Sequence, residues 1–139
     1  MEYKRFGNKM LVRMFPGEEV LQQVKEVAIK ENITLGMINA LGATNDFTIG
    51  VYSIPEQKYY STDYQGAYEI VSLHGNISTM NDEVYLHIHM AAGDNEGHFV
   101  GGHLNRCIIS ATCEMFIDII DGKVDRYKDE QIGINVIKF

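Results

Sequence analysis

Between Val84 and Ala91 the chain alternates without a break: Val84, Leu86, Ile88 and Met90 are apolar, and Tyr85, His87, His89 and Ala91 fall between them. A period of two belongs to a β-strand with one buried face, because successive side chains point to opposite sides of the pleat. The segment therefore commits its surroundings to a sheet whose apolar face is core and whose other face carries two imidazoles. Tyr68 to Ile77 and Ile108 to Ile120 read as strands of comparable strength. Lys9 to Phe15 alternates and ends at Pro16-Gly17. Leu35 to Ala43, where Gly36 and Gly42 predict a bend or a close backbone contact, and Phe47 to Ile54 are two further strands. Pro55 to Tyr64 is polar and predicts a loop with a short edge strand.

One segment has a different period. Val20, Val24, Val27 and Ala28 lie at helical spacing, Leu21 widens the stripe, and Gln22, Gln23, Lys25 and Glu26 take the opposite side. Glu18 and Glu19 are expected in the first turn, where negative charge suits the helix dipole, and Asn32 is the expected stop. Asp121-Gly122 predicts a hairpin into Val124 to Tyr127, and Ile132 to Phe139 a last strand closing the sheet. One helix near the front and many strands predict an α+β fold, a mainly antiparallel sheet with the helix packed on it.

Composition narrows the class of function. The 139 residues suit a single domain over 1–139, and 45% hydrophobic with 22% charged residues is a globular balance. The formal net charge of −7 argues against attraction to bare phosphate backbones or anionic membranes, and no Lys/Arg run offsets it locally. Cys107 and Cys113 lack the number and spacing of a disulfide framework or a cysteine zinc site, and are expected as buried free thiols. No leader peptide and no membrane-length apolar stretch is visible, so a cytoplasmic protein is the expectation.

The histidines carry the chemistry. His87 and His89 share a strand face, and Gly93 to Gly97 is a natural loop. With Asn95 at its centre, Ala91 pairs with Phe99, His89 with Gly101 and His87 with His103, so His103 joins the other two imidazoles. Gly101 opposite His89 would leave room above the sheet. Three neutral imidazoles suit a borderline divalent ion, and three protein ligands leave a fourth position for water or substrate. Zinc is the first choice; nickel, iron or cobalt can use the same atoms. A His-x-His pair alone also occurs as a plain half-polar sheet face; the convergent third imidazole is what favours metal. His98 has the opposite parity and suits a loop-capping role, and His74 a hydrogen-bonded surface role. Glu114 and Asp118 sit in an apolar strand and face either solvent or a pocket.

These residues also resemble a known family. Tyr68-Glu69-Ile70-Val71-Ser72-Leu73-His74-Gly75-Asn76-Ile77, Leu86-His87-Ile88-His89 and Val100-Gly101-Gly102-His103-Leu104 are similar to the PPC (plants and prokaryotes conserved) domain. Pro16-Gly17-Glu18-Glu19-Val20 and Ala40-Leu41-Gly42-Ala43 extend the likeness over nearly the whole chain. The resemblance implies a homotrimer and, on the likeness of prokaryotic members, metal ligands at His87, His89 and His103. It also implies a fold similar to acetolactate decarboxylase, whose zinc is held by three histidines. In plants the domain follows an AT-hook of the Arg-Gly-Arg-Pro type, and this sequence shows none. The expected function is a stand-alone, trimeric, divalent-metal-binding protein, with a small-molecule ligand at the metal as a further expectation. The alternatives are a metal-dependent lyase or hydrolase acting on a small oxoacid, and a DNA-binding or transcription-associated protein.

Overall fold

The computed structural model describes residues 1–139. In chain order the elements are β1 (Glu2–Phe6), β2 (Lys9–Met14), α1 (Val20–Lys30), β3 (Gly36–Ser53) and β4 (Lys58–Met80), followed by β5 (Glu83–Gly93), β6 (Phe99–Ile119), β7 (Asp125–Asp129) and β8 (Ile134–Lys138). The α+β expectation holds, with antiparallel pairing throughout.

The main sheet runs β1-β2-β6-β3-β4-β5, and β5 also pairs with β6, so β6, β3, β4 and β5 form a closed ring. The length of β6 makes this closure achievable. One edge of β6 pairs with β3; the other takes β5 at Phe99–His103 and β2 at Cys113–Asp118. Between those two partners the approach to α1 fills the edge: Gly17 N–H donates to Ile109 O at 2.8 Å, and Ile109 N–H to Glu18 O at 3.0 Å. The ring closes where His89–Gly93 of β5 meet Phe99–His103 of β6, while β1 and the Lys58–Gln65 stretch of β4 pair on one side only.

The apolar side of each strand faces one core. Met10, Val12 and Met14 from β2, Ile88 and Met90 from β5, and Cys107, Met115 and Ile117 from β6 are buried there with Val20, Val24, Val27 and Ala28 of α1. Glu18 and Glu19 lie just before the helix, not in its first turn. Glu19 is the N-cap: its carboxylate accepts from Gln22 N–H at 2.7 Å and from Cys107 N–H at 3.0 Å, fixing the helix start to β6. Asn32, with φ of 54°, marks the helix stop as expected.

Four further expectations, all about strands, need correction. β3 is one strand, not two: shifts in register between Ala40 and Gly42 and between Thr44 and Asp46 bend it without ending it. Gly42 is required at that bend, since a Cβ there would lie 2.3 Å from Thr112 O. The polar segment after Pro55 is an edge strand, as expected, but a longer one: the loop ends before Lys58, and Lys58–Gln65 pair residue by residue with Asp46–Ser53 on one side only. Asp121-Gly122 makes no hairpin with β6, because the chain crosses to the end of β4, where Thr79 N–H donates to Val124 O at 3.0 Å. The tail does not close the main sheet either: β8 pairs with β7 in a separate ribbon, since β5 already has β4 on one side and β6 on the other. The short β1 strand carried no signal distinct enough to be anticipated.

Candidate metal centre

His87 and His89 project from β5 on the face opposite buried Ile88 and Met90. His103 arrives from β6. In the observed register His89 faces His103, Ala91 faces Gly101 and Gly93 faces Phe99. The expected pairing, with His87 opposite His103 and Gly101 opposite His89, is thus displaced by two residues. The loop explains it. The Asp94 carboxylate accepts from Glu96 N–H and His98 N–H, each at 2.9 Å, and Asp94 N–H donates to His98 O at 3.0 Å, so the turn closes over Asp94–His98. A displacement of two preserves parity, and His103 keeps the face that the sequence assigns it.

The three imidazoles converge. Ring centroids are 5.1 Å apart for His87 and His89, 5.3 Å for His87 and His103, and 5.5 Å for His89 and His103. His87 Nε2 and His89 Nε2 are 3.2 Å apart, and one nitrogen from each ring lies within 4.8 Å of the others. His87 and His103 are half-buried and His89 is exposed. Burial, and then the charges of His103, Arg126 and His89, pull the His87 pKa down to about 4. Burial and then His89 lower that of His103. Both rings are therefore held neutral near pH 7, the form in which imidazole ligates.

Neighbouring residues shape the group. On β4, His74 stands opposite His89 and Asn76 opposite His87. On β3, Gly50 stands opposite His103, and a Cβ there would lie 2.4 Å from the Tyr59 ring. The glycine thus lets Tyr59 lie edge-on to His103, with centroids 6.2 Å apart, while its hydroxyl donates to Asn105 Oδ1. Arg126, from β7, is 7% exposed and donates from Nε to Ser78 Oγ at 2.8 Å and from a terminal nitrogen to Asn76 Oδ1 at 2.9 Å. No sequence motif marks Tyr59 or Arg126, and Asn76 stands only within the family-like Tyr68–Ile77 segment. Gly50, set within a β-branched and aromatic run, was the only local signal for any of this packing.

The other candidates stay outside the group. His74 is exposed, with Nδ1 3.1 Å from Ser72 Oγ, and His98 lies 3.2 Å from Asp94 in the loop, as expected for both. Glu114 is exposed and Asp118 pairs with Lys9 at the surface, which places both carboxylates on the solvent side. Burial pushes the Cys107 thiol up to about 11 and Cys113 to about 12, so both remain unreactive thiols in the core.

Residues 1–121 match the Plants and Prokaryotes Conserved (PCC) domain. The chain belongs to this family. A plant- and prokaryote-conserved protein from Pyrococcus horikoshii superposes with a TM-score of 0.83 at 29% identity, over 92% of this chain and 90% of that one. A metal-containing protein from Archaeoglobus fulgidus gives 0.90 at 29% identity, over 97% and 96%. A Bacteroides thetaiotaomicron protein, described as a candidate DNA-binding protein, gives 0.96 at 28% identity over 99% and 96%. A segment of the bifunctional protein GlmU of Synechococcus is 26% identical over 125 residues, covering 88% of this chain. The chain spans only 19% of the length of that curated relative.

Proposed function

We propose that this member of the Plants and Prokaryotes Conserved family binds one divalent metal ion per chain, zinc first among the candidates, through His87, His89 and His103. The carrying observation is the convergence of three imidazoles from two adjacent strands, two of them held neutral. The 3.2 Å between His87 Nε2 and His89 Nε2 is close to the edge of about 3.3 Å expected of a tetrahedron with zinc–nitrogen bonds near 2.0–2.1 Å. When bound, such an ion supplies Lewis acidity toward a small polar ligand in its open fourth position. The metal-containing relative supports the same reading.

Self-association into a homotrimer goes with this proposal. The sheet face that carries the histidines also carries Leu11, Met37, Leu41 and Phe116, exposed by 38 to 60%. An apolar surface of this kind is suited to cover by further copies of the chain. The 139 residues would act as one domain, and the cytoplasm is the proposed place of work; no helix is long and apolar enough to cross a membrane.

Elemental analysis of dialysed, untagged protein tests the metal. About one ion per chain, lost in His89→Ala, is the expected result; no metal in the wild type sinks the proposal. Sedimentation of a monomer at micromolar concentration would remove the trimer. A second reading, DNA binding, draws on the description of the Bacteroides relative but meets a formal net charge of −7. Salt-sensitive retention on duplex DNA would revive it.

A further inference from the structure

The most unusual side chain outside the imidazole group is Arg126. It is 7% exposed and forms no ion pair. Its hydrogen bonds go to Ser78 Oγ, Asn76 Oδ1 and the Asn135 carbonyl, all uncharged acceptors, and its guanidinium lies over the Tyr85 ring at 4.8 Å. The adjacent acid in the chain does not answer it, since the Asp125 carboxylate accepts from Thr79 Oγ1 at 2.8 Å. A buried cation without a countercharge is costly, and neutral acceptors offset only part of that cost.

Its position gives the charge a use. Ser78 faces Tyr85, Asn76 faces His87, and His74 faces His89, which faces His103. These pairs are successive rungs on one sheet face, about 7 Å apart along the strands. Arg126 spans the first two rungs, so its guanidinium sits beside the rung that holds His87. With a divalent ion on three neutral imidazoles, this end of the face would carry two kinds of positive charge and no adjacent carboxylate. Arg126 also lies beyond residues 1–121, which the family match covers.

Resting on the metal reading above, we infer that the open position of the centre takes a small carboxylate or other oxoanion, and that Arg126 supplies the charge selecting an anion over a neutral ligand. The probe is oxalate, titrated by calorimetry into wild-type protein loaded with Co²⁺, with metal content measured in parallel. Arg126→Gln removes the charge and keeps an amide able to hydrogen-bond Asn76. The expected result is unchanged metal content and oxalate binding weakened about tenfold or more, with Arg126→Lys retaining most of the affinity. If Arg126→Gln fails to fold, Arg126→Met makes the same test by removing the charge while keeping the length of the side chain, and the same weakening is expected. Oxalate affinity unchanged in a metal-loaded, folded Arg126→Gln or Arg126→Met protein overturns this inference and leaves the metal reading intact. Failure of the wild type to hold cobalt overturns the metal reading, and the inference with it.

Discussion

The β5–β6 hairpin and the β7–β8 ribbon are both antiparallel pairs, yet they are held in place by different forces. β5 and β6 bury Ile88, Met90, Leu104 and Cys107 beneath the histidine face and belong to the closed ring. The ribbon stands apart from the main sheet. Polar links tie it down: Arg126 to Ser78 and Asn76, and Thr79 to Val124 and Asp125. Burial of apolar surface is non-directional and tolerant of detail, whereas hydrogen bonds from one buried cation depend on a few atoms. The site therefore has a rigid floor and a separately anchored neighbour.

The contrast is easiest to break from the core side. Ile88→Ala removes a side chain that is 1% exposed directly beneath the histidine pair, and should cost about 2–5 kcal/mol in denaturant unfolding. Arg126→Met attacks the ribbon instead. It leaves Asn76 and Ser78 without their donor and should cost about 1–3 kcal/mol, with amide exchange rising first in β7 and β8. Equal loss of protection in β5 after that substitution would erase the distinction between the two regions.

Acid gives a gentler probe. The His87 pKa falls from 6.5 to about 4 on folding, so between those values the unfolded chain binds more protons than the folded one. Stability of the metal-free protein is then fullest above pH 6.5 and declines as pH drops toward 4, and His87→Gln should flatten that slope in melts taken across the window. The smallest effect on stability belongs to His89→Ala. Its ring is exposed, so with both proteins freed of metal the variant should unfold within about 0.5 kcal/mol of wild type. A larger destabilisation would mean that the imidazole group is packing rather than a prepared site.

Much of the site was legible because strand parity is a local property. The alternation from Val84 to Ala91 assigns His87 and His89 to one face with no knowledge of partners, and the glycine-flanked loop brings His103 back to it. The error of two residues in register arose where local signals stop. Asp94 closes a turn one residue further along the chain by capping Glu96 and His98, a choice made by side-chain hydrogen bonds that the composition of the loop does not display. Along β3 and β4, bulges and polar segments look like breaks when the pairing strand is unknown, so each long strand reads in the sequence as shorter segments.

What the sequence determined by itself is the set of faces: which residues are core, which histidines share a side, where the one amphipathic helix lies, and that the charge balance is acidic. Only the tertiary structure decided the partners. It closes the ring through β6, puts Gly50 and Tyr59 beside His103, and carries Arg126 across some fifty residues of chain to Asn76 and Ser78. Periodicity arises from backbone geometry between near neighbours and is written in every short window. The partners of a buried cation or a strand edge are settled by competition among distant segments for the same hydrogen bonds, and that competition is resolved only when the whole chain is folded.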